Sequence, residues 1–428
     1  MTFVEFFDSE VMDNICSSLV YSPAKVIILG ENSKLIKKYI ERYKRIFEDR
    51  GKNVEFAVKT IQKNDLSSIT EVLCEIIEKG IINDEEFAFD LTGGDDLCLV
   101  AMGMVFERYR EFGIQMHRFN LRNNKIYDCD ADGNVLKSTD YPQMSVVENI
   151  RAFGGDVVFS GEGKGTFIWN FNKEFIEDVG LMWSIIRYIC KYRQSGKNYG
   201  SGAWNAQVNV FEAMEKYGEV ENLTTKAEIN SLKICMASDG KKYKYISKVT
   251  EKISQYGLAK IENNGETITV CYKNEQVKRC LTKAGQALEL YVYLIALQAK
   301  EKDGTPVYND VMTGVYIDWD GDIHTAQDGC DIENEVDVIM MHGVVPVFVS
   351  CKNGKAETDE LYKLNAVATK FGGKYVKKVL VATALGSGKS AEYFRLRARD
   401  MNIRLIEPPV LTDEQFFCEI GNSWNKTD

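Results

Sequence analysis

Residues 334–354 read NEVDVIMMHGVVPVFVSCKNG, two apolar runs of strand length joined by a glycine-bearing link. Runs of this length rich in Val, Ile and Phe predict strands. Gly343 suits the first position of a two-residue type II′ turn, which would close the runs into an antiparallel hairpin. Such a hairpin belongs in a buried sheet, so the charges within it need a reason. Side chains alternate across a strand, placing Glu335 and Asp337 on one face and Val336, Val338 and Met340 on the other. In the second run Ser350 and Lys352 share a face, opposite Val347, Val349 and Cys351. The register set by the turn puts Asp337 opposite Ser350 and Glu335 opposite Lys352, with all four polar groups on one side.

Two carboxylates beside an amine suit a hard divalent ion, Mg²⁺ or Mn²⁺. Such a metal acidifies bound water and polarises a phosphoryl oxygen, while the lysine neutralises developing charge. The plainer alternative is a surface hairpin with a cross-strand Glu–Lys pair. The surroundings favour chemistry. A helix carrying Glu289 (KAGQALELYVYL) precedes the hairpin, and a helix opening ETDELYKL follows it. Helix, strand, hairpin, helix, strand is the core order of the PD-(D/E)xK nucleases, and residues 281–407 resemble that superfamily. Asp337 stands at the family's aspartate and Ser350-Cys351-Lys352 at its (D/E)xK. The resemblance implies a metal-dependent nuclease with Glu335, Asp337, Ser350, Lys352 and Glu360 as catalytic residues and Asp337, Glu289 and Glu360 as metal ligands. Ser350 departs from the family, which has an acid there. Glu357, Asp359 and Glu360 are the candidates to replace it, and Glu360 is preferred. A first-turn acid is also what a helix dipole favours. Cys351 reads as core.

The rest of the chain is organised around a different sheet. Residues 1–145 alternate strands (24–30, 54–60, 86–96, 114–121) with helices, including 66–79 and 96–112, which predicts a doubly wound parallel α/β domain. Residues 146–275 form a connector, with a long aromatic-rich helix over 173–196 and a Gly/Ser/Asn loop over 195–205. Its 242–274 stretch reads as helix, strand, NNG turn and strand, an order resembling a winged helix and taken here as a spacer. Residues 276–428 make a second α/β domain.

Ligands in doubly wound sheets sit beyond the carboxyl ends of the strands. Here those ends carry LGENSK (29–34) and DLTGGDD (90–96), the latter a Thr-Gly-Gly turn next to a helix N-terminus, where main-chain N–H groups receive phosphate. Together they resemble the ligand site of the CARF (CRISPR-associated Rossmann fold) domain. With the C-terminal motifs, the chain resembles the CARF-nuclease effectors of type III CRISPR antiviral immunity, known under the names Card and Can. The resemblance implies a homodimer that binds a cyclic oligoadenylate, usually cyclic tetra-adenylate, and then cuts DNA, RNA or both. Carried over, the pocket comprises Gly30, Glu31, Asn32, Thr92, Gly93, Gly94 and Asp95. Asp95 departs from the pattern, because an acid repels phosphate and suits a helix cap instead. A Walker-like stretch, TALGSGKSAEYF (383–394), has Thr383 where the motif needs glycine, so an ATPase is not expected.

Composition sets the outer limits. The 428 residues carry a net charge of −10, which leaves nucleic-acid binding to local basic stretches such as 239–245 and 370–378, themselves read as solvated faces. No apolar run is long enough to span a bilayer, and eleven scattered cysteines suit a reducing cytoplasm. Two other functions compete. One is a ligand-responsive winged-helix DNA-binding regulator with an inactive nuclease domain; the other is a ring nuclease that degrades the cyclic activator.

Overall fold

The computed structural model describes residues 1–120, 125–130, 132, 134–159, 165–192, 202–232, 246–321 and 333–424. The basic stretch 239–245 and the 195–201 part of the Gly/Ser/Asn loop lie outside them. The N-terminal sheet contains β1 (Thr2–Phe6), β2 (Lys25–Gly30), β3 (Glu55–Thr60), β4 (Phe87–Asp90), β5 (Gln115–Asn120), β6 (Lys125–Cys129) and β7 (Val135–Asp140). Their order is β3-β2-β1-β4-β5-β6-β7; β1 to β5 are parallel, and β6 and β7 add an antiparallel edge. Helices α1 (Val11–Tyr21) and α2 (Ser33–Asp49) pack on one face, and α3 (Leu66–Ile82) and α4 (Asp96–Arg108) on the other. The doubly wound fold read from the sequence is present. Its central strand was not foreseen: β1 is wholly buried although it carries Glu5.

The C-terminal sheet is six-stranded, in the order β17-β16-β15-β14-β13-β8. Its strands are β8 (Asp156–Val157), β13 (Asp310–Asp318), β14 (Glu333–His342), β15 (Val345–Lys355), β16 (Lys377–Ala384) and β17 (Ile403–Ile406). The edge strand β8 thus comes from the segment read as connector. Helices α10 (Gln286–Gln298) and α11 (Thr358–Gly372) cover opposite faces, while α12 (Gly388–Asp400) and α13 (Asp413–Gly421) follow.

Between the sheets in sequence lie α5 (Val146–Ala152), α6 (Lys173–Tyr192), α7 (Gly202–Tyr217), α8 (Ser247–Gln255) and α9 (Glu275–Thr282). A small sheet, β11-β12-β10-β9, joins them, built from β9 (Glu219–Glu221), β10 (Thr224–Glu228), β11 (Ala259–Asn263) and β12 (Thr267–Tyr272). The helix–strand–turn–strand order expected over 242–274 is found from Ser247 onward. Apolar residues of α6 to α9 share one cluster with α10 and with Val338, Met340, Val347, Val349 and Cys351.

The β14–β15 hairpin turns at Gly343, whose φ is 63°, while Val344 keeps a negative φ, as a type II′ turn requires. A side chain at Gly343 would strike the Tyr141 ring, with the nearest atom at 1.4 Å, so the turn also seats the end of the N-terminal domain.

That seating is extensive. The other face of the C-terminal sheet shares a core with the N-terminal domain, where Phe3, Met12 and Ile15 join Ile339, Phe348 and Phe371. Beside it, the turn after α11 grips the start of α1. The Lys374 N–H donates to Glu10 Oε2 at 2.8 Å, Tyr375 Oη donates to Asp13 Oδ1 at 2.9 Å, and the Lys374 ammonium bonds Asp13. Burial pushes the Asp13 carboxyl up despite these partners. Lys374 therefore compensates a buried charge and is not merely solvated. Lys374→Ala is expected to destabilise the protein by about 1–3 kcal/mol, because Asp13 is left under-paired. Thermal melts of a double-mutant cycle with Asp13→Asn check this, the pair losing less than the two single changes summed.

Candidate nuclease site and sensing crevice

The C-terminal site forms where the hairpin ladder opens. Main-chain pairing of β14 with β15 runs from His342↔Val345 to Val338↔Val349 and stops. At the next step the Asp337 side chain enters the gap. Its Oδ2 accepts from the Cys351 N–H at 2.5 Å and from Ser350 Oγ at 3.2 Å. On the other flank the β13–β14 ladder skips the Gly314/Asp337 step, and Gly314 has a φ of 58°. This local distortion corrects the simple alternation expected from sequence. Val336 packs with the core shared with the N-terminal domain, whereas Val338 and Met340 pack with α10 and the connector.

Glu289 comes from the first turn of α10 and is 6% exposed, so it is not the solvated residue its helix suggests. Gln286 Nε2 donates to its Oε2 at 3.0 Å. Burial, and then the charge of Asp337, pushes the Glu289 carboxyl well up. Burial also raises Asp337, more than Lys352 and the Cys351 N–H lower it. Burial works against the Lys352 ammonium, but Asp337 and Glu360 overcome it and hold that group above its usual range. Asp337, Glu289 and Lys352 therefore lie within one electrostatic neighbourhood. Cys351 is buried, and burial pushes its thiol well up, which excludes a ready nucleophile.

The remaining acids are arranged differently from the sequence-based register. Glu335 does not pair with Lys352. Its Oε1 lies 2.8 Å from Lys283 Nζ, and its Oε2 accepts from Tyr316 Oη at 2.9 Å. Lys352 instead pairs with Glu360 at 3.1 Å. Glu357 stands just before α11, makes no side-chain cap bond to it and pairs with Lys355. Two lysine–glutamate pairs thus flank the buried Glu289 and Asp337. Lys283, just after α9, and Tyr316, on β13, were missed because both reach Glu335 across long connections that no tight turn announces.

Among the described residues, no three of His, Cys, Asp and Glu gather into a metal-binding cluster. The donor chemistry nevertheless fits a hard divalent cation. Mg²⁺ needs only one or two carboxylates, filling its other positions with water and substrate phosphate. Glu289 and Asp337 are two buried acids that repel each other, the arrangement a cation would relieve.

In the N-terminal domain β1 and β4 are adjacent, and the strand order reverses direction between them. This is where a doubly wound sheet opens a crevice. Gly93 and Gly94 lie against β1, since a Cβ would come 2.8 Å from Phe6 O at Gly93 and 2.9 Å from Phe6 Cβ at Gly94. Thr92 Oγ1 accepts from the Phe119 N–H at 2.9 Å, which fixes the turn to β5. Asp95 caps α4, accepting from Cys98 N–H at 3.1 Å. Gly30 ends β2 beneath Ile36, and Asn32 caps α2, accepting from Leu35 N–H at 3.0 Å. Glu31 is exposed and accepts from Lys63 N–H at 3.0 Å. The Walker-like stretch opens α12 at Gly388, and its preceding Ser387 makes no side-chain cap bond.

Residues 274–417 match the family model described as Card1-like, endonuclease domain. This part of the chain is similar to the endonuclease domain which that model describes. The whole chain is also similar to two solved structures. One is protein VC1899 from Vibrio cholerae, with a TM-score of 0.70 and 16% identity, covering 100% of this chain and 99% of that one. The other is Can2 from Sulfobacillus thermosulfidooxidans, solved in complex with cyclic tetra-adenylate, with a TM-score of 0.64, 15% identity and 99% of each chain covered. No curated protein sequence matches the chain. The likeness is one of fold: along its whole length the chain shares an architecture in which a Rossmann-like domain precedes the α/β domain that the family model matches. No helix among the described residues is long and apolar enough to cross a membrane.

The paired acids have a thermal signature. A carboxyl raised on folding stabilises the fold while protonated, so its contribution is present below the ordinary value of 4.5 and lost as pH rises through the folded value. In chelator, the wild-type melting temperature is expected to fall as pH rises above the ordinary carboxyl range. Glu289→Gln flattens that decline and adds on the order of 1 kcal/mol at the alkaline end. Mn²⁺ raises the wild-type melting temperature and leaves Asp337→Asn unmoved.

Proposed function

We propose that this chain is an effector nuclease of type III CRISPR antiviral defence, switched on by cyclic tetra-adenylate and dependent on Mg²⁺ or Mn²⁺. The observation that carries the nuclease reading is the convergence of Asp337, Glu289 and Lys352 at the opened end of a hairpin within a Card1-like endonuclease domain. The activator reading rests on the crevice between β1 and β4, together with a fold shared along the whole chain with a protein solved bound to that ring. A ring of four equivalent nucleotides suits a pocket shared across a two-fold homodimer.

Asp337 and Glu289 would hold the cation. When bound, it supplies acidified water and a polarised phosphoryl oxygen. The chain's own residues do the positioning. Ser350, too poor a ligand to replace an acid, donates to Asp337 and with the Cys351 N–H fixes the carboxylate. Lys352 stays protonated between Asp337 and Glu360, a fixed positive charge for the phosphate as negative charge develops. Glu360 serves as the partner that sets where that ammonium sits.

Purified protein with Mn²⁺ and labelled DNA or RNA is expected to cut only when cyclic tetra-adenylate is added. Asp337→Asn and Lys352→Ala each lower the rate by about 100-fold or more. A sequence-specific mobility shift without cleavage would establish the regulator instead. Loss of the ring alone, untouched by both substitutions, would establish a ring nuclease.

A further inference from the structure

An acidic chain that handles nucleic acid needs a local positive surface, and one lies where the two domains meet. A cleft of about 340 Å³ is lined by Lys38, Arg42 and Arg45 of α2, by Arg151, and by main chain at Gly154 and Gly321. The three α2 cations follow one another at helical spacing, so they form a stripe along the helix. Arg42 lies flat: its guanidinium stacks 4.8 Å from the Tyr39 ring centre, and a Cβ at Gly154 would come 2.2 Å from its Cζ. Lys370, near the end of α11, has its ammonium 5.7 Å from the centre of the Phe371 ring, and that ring lies against Gly155 of the cleft. Burial lowers its ammonium, and the charges of Arg42 and Lys38 lower it further.

The cations are not spoken for. Arg151 is paired with Asp49 and Asp156, and the rim acid Glu41 is bonded to Lys44. Asp320 is the other acid at the rim. Among the described residues, Lys38, Arg42, Arg45 and Lys370 have no carboxylate at ion-pair distance. Unpaired guanidinium and ammonium groups beside glycine main chain suit phosphate, which approaches a bare backbone closely.

We infer that this cleft is a second nucleic-acid site, in which α2 and Lys370 hold backbone phosphates of the strand being cut. The inference rests on the nuclease reading and extends it to the N-terminal domain. Lys370 and Glu360 share α11, about 15 Å apart at 1.5 Å per residue. Phosphate contacts add affinity without reading sequence.

The test measures binding, with cleavage blocked by chelator. Fluorescence anisotropy of the full chain with a labelled single-stranded oligonucleotide, DNA in one arm and RNA in another, is followed against salt with and without cyclic tetra-adenylate. Lys38→Ala/Arg45→Ala/Lys370→Ala leaves the packed Arg42 in place, so folding is retained and checked by thermal melting. Its salt slope is expected to fall by roughly 2, at about 0.7 for each phosphate no longer neutralised, and its Kd to rise roughly tenfold or more at moderate salt. A control removing Lys79, Lys260 and Lys302 in the same way shows neither change. Equal affinity and slope in the cleft variant and the wild type overturn the proposal. So does a site that takes inorganic tripolyphosphate, losing it in the variant while oligonucleotide binding is unaffected. Failure of ligand-dependent cleavage would sink the nuclease reading alone, since binding is scored separately.

Discussion

The site depends on one carboxylate standing in for a main-chain hydrogen-bond acceptor. Where β14 and β15 part, the Cys351 N–H loses its strand partner, and Asp337 supplies an acceptor from its side chain. A buried N–H without a partner costs about 1–3 kcal/mol, so the acid has a structural reason to be there before any catalytic one. Its charge is what the surroundings then organise. Lys352 answers it from one strand, Ser350 orients it, and Glu289 opposes it from α10. Asp337→Asn would keep much of the geometry while removing the charge, which separates the two roles.

The N-terminal domain reaches this site through a single helix, α11. The first turn of α11 places Glu360 against Lys352, and the turn beyond its last residue holds Glu10 and Asp13 of α1. The β1–α1 loop, which runs from the proposed crevice to those two acids, is tied by its own hydrogen bonds, Asp8 N–H to Asn14 and Glu10 N–H to Asp8. A ligand that displaced this loop would therefore act on a helix whose other end sets the partner of the active-site lysine. Such a ligand shifts the equilibrium only as far as it prefers one arrangement over the other.

Much of this was legible in the chain. The hairpin, its glycine turn and the meeting of Asp337 with Ser350 follow from run length, a residue type at a turn and strand periodicity. What was not legible has physical causes. β1 carries Glu5, a charge that periodicity reads as a surface residue, yet it is the centre of the sheet. Glu335 looked toward β15 because the visible turn joins β14 to β15, whereas its partners Lys283 and Tyr316 arrive across a long connection. The switch of faces at Asp337 arises from Gly314 on a neighbouring strand, and no local pattern in β14 encodes it. Glu289 was a candidate ligand by its place before the hairpin, but its burial was not legible, because only the packing of α10 onto the sheet produces it.

The core shared by Phe3, Met12 and Ile15 with Ile339, Phe348 and Phe371 has an evolutionary corollary. A recognition module joined to a catalytic one by a loose tether can be exchanged by simple gene fusion, since neither half notices the loss of the other. Here separation would bare an oily wall on both halves. Replacing either half would require rebuilding that wall residue by residue on the other, so the two halves are constrained to change together.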